Sequence, residues 1–141
     1  MDVSDCIENC YSRGSATKLL PAPTTVSNDW AAGFVARIRG NEAVIKNCYS
    51  TGFIYYEDEE EDPSTCGFIA EIDDNAVYQE FNNLWDSSTS GQLTSACNAT
   101  PKSTKEMKDP STFISIDWDF DEIWTINTIN DEYPYLQWQE T

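Results

Sequence analysis

The feature that most constrains the fold of this chain is an internal repeat. Residues 7–14 (Ile-Glu-Asn-Cys-Tyr-Ser-Arg-Gly) recur 38 residues later as residues 45–52 (Ile-Lys-Asn-Cys-Tyr-Ser-Thr-Gly), with six of eight positions identical. A weaker third copy follows 36 residues later at residues 81–86 (Phe-Asn-Asn-Leu-Trp-Asp). A second motif alternates with the first, because residues 33–38 (Gly-Phe-Val-Ala-Arg-Ile) recur 34 residues later as residues 67–72. Two motifs that alternate in this way indicate stacked structural repeats.

Both motifs predict short β-strands. Each is four to six residues long, rich in Val, Ile, Phe and Tyr, and bounded by Gly, Asn, Asp or Pro, a composition that favours strands over helices. The predicted fold is therefore all-β, a parallel β-helix (β-solenoid) in which like residues stack about 4.8 Å apart. The predicted ladders are Ile7/Ile45/Phe81, Asn9/Asn47/Asn83 and Tyr11/Tyr49/Trp85.

Residues 102–141 differ in character from the repeats. Ser103 and Glu106 have the spacing of a helix capping box, and Pro110 is expected to end the short helical segment that follows. The aromatic residues beyond it follow no single period, and we expect them to cap the open end of the solenoid. The predicted organisation is one domain, with coils in residues 1–101 and a capping segment in residues 102–141.

The alternation of a Gly-Phe motif with Ile-x-Asn-Cys-Tyr-Ser-x-Gly resembles the GLUG repeat of bacterial surface adhesins, which also occurs in non-catalytic regions of IgA-cleaving metallopeptidases. Ala36 and Ala70 replace the second Gly of that motif. The resemblance implies a parallel β-helix in a secreted or cell-surface bacterial protein. Residues 107–113, 118–120, 124 and 133–136 resemble the segment that closes such arrays.

The first Asn-Cys-Tyr-Ser copy has no Gly-Phe motif before it. We therefore expect the coils to be truncated at the N-terminus, with the rest of a longer parent chain as one partner. A host surface or a glycan is the other partner that we expect.

The composition excludes several functions. Eight Lys and Arg against 25 Asp and Glu give a net charge of -17, which repels nucleic acid and anionic lipid. No stretch approaches the length of a membrane-spanning segment, so membrane insertion is not expected. The chain has no His, which excludes a His general base and a His-ligated metal. Carboxylate pairs such as Asp119 and Asp121 arise by chance among 25 acids, so we predict that the protein is not an enzyme.

An acidic run at residues 57–62 is the one candidate metal site in the sequence. Its candidate ligands are Glu57, Asp58, Glu60 and Asp62, which would hold calcium weakly. The run lacks the spacing of an EF-hand loop, and a solvated acidic surface is the alternative interpretation. No other cofactor is predicted.

Five cysteines leave at least one unpaired within the chain. Cys10 and Cys48 occupy equivalent positions of the repeat. Strict strand alternation would turn them away from Ile, Asn and Tyr, whereas a left-handed bend at Asn9 and Asn47 would return them to the core. Small buried thiols, disulfide bonds and reactive or metal-binding sulfur all remain open.

These observations predict a non-catalytic structural or adhesive module of a secreted or cell-surface bacterial protein. One alternative is a carbohydrate-binding module that uses exposed aromatic rings. Another is a non-catalytic appendage of a secreted peptidase or a polysaccharide-cleaving enzyme. The candidate sugar-binding residues are Trp85, Trp118, Trp124 and Trp138.

Overall fold

The computed structural model of the chain describes residues 5–18, 30–40, 42–56 and 65–140. Short strands make up most of its regular structure, so the protein is mostly β, as predicted. The strands are β1 (Asp5–Glu8), β2 (Tyr11–Ser12), β3 (Ala16–Lys18), β4 (Ala31–Ala32), β5 (Val35–Ile38), β6 (Ala43–Lys46), β7 (Tyr49–Ser50), β8 (Ile54–Tyr56), β9 (Thr65–Cys66), β10 (Ile69–Ile72), β11 (Tyr78–Phe81), β12 (Leu84–Asp86), β13 (Thr100–Lys102), β14 (Trp124–Thr125) and β15 (Tyr135–Leu136). The helices are α1 (Ser87–Ser90), α2 (Thr104–Met107) and α3 (Pro110–Ile114), with 3-10 turns at Thr128–Asn130 and Gln137–Gln139.

The strands form short separate sheets, and the pairing within them is regular. Strands β1, β6 and β11 form one sheet, and β2, β7, β12 and β13 form another. Three two-stranded sheets join β3 to β8, β4 to β9 and β5 to β10. All these pairs are parallel, and only β14 and β15 pair antiparallel among the described strands. From β1 to β7, each strand therefore pairs with the fifth strand after it.

The spacing of the repeated motifs equals the register of these sheets. Ile7 lies opposite Ile45 and Tyr11 opposite Tyr49, a shift of 38 residues. Val35 lies opposite Ile69, a shift of 34 residues. The Phe34 and Phe68 rings stack with centroids 4.8 Å apart. Equivalent residues of the second motif therefore also stack on each other.

The predicted register of the third copy is wrong by one residue. Ile45 lies opposite Glu80 rather than Phe81, and Tyr49 lies opposite Leu84 rather than Trp85. The corner residue of this copy is therefore Asn82, not Asn83, because Asn82 has the positive φ of 57° that matches 53° at Asn9 and 52° at Asn47. This register places Trp85 among the interior side chains around Phe68.

The left-handed corners decide which side chains face inward. After the bend at Asn47, Cys48 points to the same side as Ile45, and both belong to the interior cluster. Tyr49 points to the opposite side. Of the two arrangements that the sequence left open, the structure has the bend that returns Cys48 to the core. The interior cluster consists of Ile38, Ile45, Cys48, Phe68, Ile69, Trp85 and Ala99.

Asn83 occupies the position that Cys48 has in the preceding copy. Its side-chain Oδ1 accepts a hydrogen bond from the Cys48 backbone N–H at 3.0 Å, and its Nδ2 donates to the Ile45 carbonyl at 2.9 Å. The amide thus fills two backbone hydrogen-bonding positions that the turn leaves open. Asn83 therefore joins two neighbouring copies by hydrogen bonds, although it lies one residue after the corner residue Asn82.

The final glycine of the repeat is required by the close approach of neighbouring copies. A methyl group at Gly52 would overlap the Gly14 carbonyl, whereas one at Gly14 would meet no atom within 4 Å. We expect Gly52→Ala to lower the free energy of unfolding by about 1–3 kcal/mol through overpacking. Urea denaturation measures the loss. The matched control Gly14→Ala should change stability by less than about 0.5 kcal/mol, and equal losses would contradict this packing.

Candidate functional site

The principal candidate site is a layer of aromatic and apolar side chains on the outward face of the sheet that contains β2, β7 and β12. Tyr49 and Leu84 supply the sheet side of this layer, and Tyr11 packs against it. Residues 107–133 supply the remainder. We call it the aromatic layer, and its buried members are Tyr49, Leu84, Met107, Phe113, Trp118, Trp124 and Tyr133.

The predicted location of the C-terminal segment is wrong, because the segment covers this side face instead of closing an end of the stack. The Trp124 indole N–H donates to Asn9 Oδ1 of the first copy at 3.4 Å. The Trp118 indole N–H donates to the Asn82 carbonyl of the third copy at 3.0 Å. The segment therefore crosses all three copies. Its position follows from the Asn bends, which turn Tyr11 and Tyr49 outward and leave an apolar face to bury.

The start of this segment is as predicted, and its continuation is not. The Ser103 and Glu106 capping box is present at the start of α2. The helical turn α2 ends at Met107, before Pro110 as expected, but Pro110 is itself the first residue of a second helix, α3, which was not predicted. Proline suits that position because its missing N–H would have no partner in the first turn.

Asp86 is the buried hydrogen-bonding centre that joins the repeats to the C-terminal segment. Its side chain accepts hydrogen bonds from the backbone N–H groups of Ser88 and Thr89, both at 2.9 Å. It also accepts from the Thr104 hydroxyl at 3.0 Å and the Tyr133 hydroxyl at 2.7 Å. The carboxylate is fully buried, and these four donors replace the water it loses.

Charged groups surround the rim of the aromatic layer. Arg13 donates to the Asp131 carboxylate at 2.7 Å and to the Asn130 side chain at 2.6 Å. The guanidinium beside Asp131 holds the pKa of that carboxyl below its usual range. Arg13 and Lys108 each lie 5.0 Å from the centre of the Tyr133 ring, a favourable cation–π distance.

Most of the tryptophans that were predicted to stack on sugars are buried. The exposed fraction is 2% for Trp85, 3% for Trp118 and 0% for Trp124. Trp85 donates its indole N–H to the Gln92 carbonyl at 2.9 Å. These three rings form cores and present no face to a ligand. Trp138 alone of the four is exposed, at 75%.

The structure assigns local roles to the carboxylates that the sequence singled out. Asp119 Oδ1 accepts hydrogen bonds from the backbone N–H groups of Asp121 and Glu122, at 2.9 and 2.8 Å, so it stabilises a turn. The predicted calcium ligands Glu57, Asp58, Glu60 and Asp62 lie outside the described residues. Within the described ranges, no three or more acidic or Cys side chains form a group suited to a metal ion.

Sequence reasoning missed a polar crevice beside the third copy. Its volume is about 310 Å³. The walls come from three separate segments, residues 80–84, 98–102 and 112–116, so no local sequence motif predicts the crevice. The lining residues are Glu80, Asn82, Asn83, Leu84, Asn98, Thr100, Lys102, Thr112, Ser115 and Ile116.

Two buried phenols make the stability of the aromatic layer sensitive to alkaline pH. Burial raises the pKa of Tyr49 above the usual 10.0, and burial next to the Asp86 carboxylate raises the pKa of Tyr133 from 10.0 to about 12. The folded state retains these protons more tightly than the unfolded state does. The contribution of each phenol to stability is therefore complete below pH 10 and decreases above it, and that of Tyr133 is lost as the pH rises through about 12.

We expect the free energy of unfolding, measured by urea denaturation, to fall across this pH interval. Tyrosine absorbance recorded in parallel should show phenols that ionise only as the protein unfolds. The variant Tyr133→Phe, which cannot ionise there, should lose less stability. An unchanged pH profile in that variant would show that Tyr133 does not contribute.

The described part of the chain contains no helix with the length and apolar character needed to cross a bilayer. No family model matches the chain, and no solved structure matches it. Over 54 residues, 38% of its length, the chain is 46% identical to a protein of Evansella cellulosilytica named "Putative Gly-rich membrane protein". The match covers 6% of the length of that protein. The chain is thus similar to a small part of a much longer protein, whose name fits a surface protein loosely.

Proposed function

We propose that this chain is a non-catalytic structural and adhesive module of the GLUG-repeat type, folded as a parallel β-helix. The parallel register of the successive copies is the observation that carries the proposal. Each of β1 to β7 pairs with the fifth strand after it. A coil of five short strands that repeats along one axis accounts for all these pairs.

The ladders between copies support this interpretation. Tyr11 and Tyr49 stack with ring centroids 5.2 Å apart and planes 5° from parallel. Phe34 and Phe68 stack with ring centroids 4.8 Å apart and the same angle of 5° between planes. In a solenoid, each coil buries its apolar groups only by contact with its neighbours, and such ladders supply that contact.

The aromatic layer supports a structural role. Its residues connect Asn9 of the first copy to Asn82 of the third, so the copies cannot separate without exposing a second core. Such bracing suits a rigid spacer in a larger protein. A location at the bacterial surface is supported by the word "membrane" in the name of the Evansella protein and by the resemblance of the repeat to adhesins.

Adhesion is tested with beads that carry the full chain. The beads are offered to surfaces coated with mucin, plant polysaccharide or epithelial cells and are then washed under controlled flow. We expect saturable retention on at least one surface at physiological salt. Beads carrying an unrelated protein of equal negative charge are the control for non-specific adhesion. Retention that equals this control on every surface would contradict the adhesive role.

The non-catalytic assignment is tested separately. The chain is incubated with the same polysaccharides and with a peptide library, and new reducing ends or new peptide termini are measured. We expect none above background. Turnover that disappears when a single carboxylate is replaced by its amide would show an enzyme instead.

A further inference from the structure

We propose that Cys10 and Cys48 form a disulfide bond under oxidising conditions, which joins equivalent corners of the first two copies. In the structure, all five cysteines are thiols. The proposal depends on the register of β2 and β7 and is independent of the adhesive function. Either one can therefore fail without the other.

The register places the two cysteines side by side. Tyr11 lies opposite Tyr49, and the Tyr49 N–H donates to the Cys10 carbonyl at 3.2 Å. Cys10 and Cys48 each lie one residue before these adjacent parallel strands and are therefore neighbours. Such strands lie about 4.7–4.9 Å apart, within the range of about 4.4–6.8 Å that disulfides span between Cα atoms.

The two side chains also point in the same direction. Both follow an Asn with nearly the same φ, and both pack in or against the interior cluster. Cys10 Sγ lies 3.2 Å from the Glu8 carbonyl, and Cys48 Sγ lies 3.1 Å from the equivalent Lys46 carbonyl. Cys48 Sγ also lies 3.8 Å from the Ile7 carbonyl, so it is directed toward the first copy.

The surroundings favour this pairing over the others. On the far side of Cys48, the Asn83 side chain is fixed by its bonds to Cys48 and Ile45. Cys6 lies opposite Val44, and Cys66 lies opposite Ala32. Cys97 Sγ lies 3.1 Å from the Ser95 hydroxyl, in the segment after the third copy.

The reaction is a thiol–disulfide exchange with a small disulfide such as oxidised glutathione. The half-buried Cys10 is the thiol that the oxidant reaches. Its thiolate attacks one sulfur of the oxidant, forms a mixed disulfide and releases one small thiol. The Cys48 thiolate then attacks Cys10 Sγ and releases the second small thiol. The two cysteines lose two electrons and two protons, which the oxidant takes up as two thiols.

Burial makes the second step the slower one. It raises the pKa of Cys48 to about 12, so the thiolate that must attack is scarce at neutral pH. Formation of the Cys10–Cys48 disulfide from the mixed disulfide should therefore accelerate as the pH rises, since a larger fraction of Cys48 is ionised.

The test uses the full chain equilibrated with reduced and oxidised glutathione, alkylated, and digested with trypsin and a Glu-specific protease. These enzymes cut after Glu8, Arg13, Lys46 and Glu57. They separate Cys6 from Cys10. We expect residues 9–13 to be recovered disulfide-linked to residues 47–57. The bond should also raise the thermal unfolding midpoint above that of the reduced protein.

Two variants sharpen the result. Cys48→Ser should leave Cys10 as the glutathione mixed disulfide, whereas Cys97→Ser should retain the link. Recovery of both Cys10 and Cys48 in alkylated form from the oxidised wild-type protein would overturn the proposal. So would recovery of either one linked to Cys6. The disulfide bond is mapped in the wild-type chain, so the result remains decisive even if one of the variants fails to fold.

Discussion

Replacing Trp124 with alanine is expected to lower the free energy of unfolding by about 3–5 kcal/mol. The ring is fully buried, with its centroid 4.6 Å from Trp118 and 6.1 Å from Tyr49. The substitution opens a cavity in the aromatic layer and removes the hydrogen bond to Asn9. Urea denaturation followed by far-ultraviolet circular dichroism measures the loss.

Trp138 provides a matched control in the same segment. It is largely exposed, so Trp138→Ala should change stability by no more than about 0.5 kcal/mol. If the two substitutions had equal effects, the C-terminal segment would not pack on the repeats as described. A destabilised Trp124→Ala variant should also show increased exposure of Tyr49, because that ring lies under the same layer.

Asp86→Ala is expected to cost about 3 kcal/mol or more, because removing a buried charged acceptor leaves several donors unsatisfied. Two backbone N–H groups and the hydroxyls of Thr104 and Tyr133 lose their partner. The substitution also removes the N-cap of α1. Asp86→Asn should have an intermediate effect, since an amide oxygen can still accept from the two backbone groups. Chemical denaturation of the three proteins gives the comparison.

Asp119→Ala is the control for loss of backbone capping alone. Asp119 also accepts from two backbone N–H groups, but it is exposed. We expect a loss of about 1 kcal/mol or less. A loss at Asp86 as small as that at Asp119 would contradict the role of Asp86 as the buried link between repeats and C-terminal segment.

The sheet register was predictable where the motifs are nearly identical. Residues that recur at one spacing must have equivalent surroundings, so the shift from Ile7 to Ile45 gave the pairing of β1 with β6. In the third copy, the predicted ladder placed Asn83 at the corner, but the residue before it, Asn82, is also an asparagine, and composition does not distinguish the two. Only the backbone conformation does, because Asn82 takes the left-handed bend and Asn83 does not.

The candidate site was less predictable, for a different reason. The aromatic residues of the C-terminal segment had to be buried, but their composition does not say against which surface. The signal that could have placed them is the Asn bend. If Asn47 turns the chain so that Cys48 faces the core, Tyr49 must face outward. Another segment must then pack on Tyr49 to bury its ring. Tyr49 and Trp124 meet for that reason.

The parallel stacking of the copies in one register is the central claim, and scalar couplings across hydrogen bonds test it most directly. In isotopically labelled protein, we expect couplings from the Tyr49 amide nitrogen to the Cys10 carbonyl carbon and from the Leu84 nitrogen to the Cys48 carbonyl carbon. Couplings that pair these strands antiparallel, or that shift Leu84 away from the position opposite Tyr49, would contradict the stack.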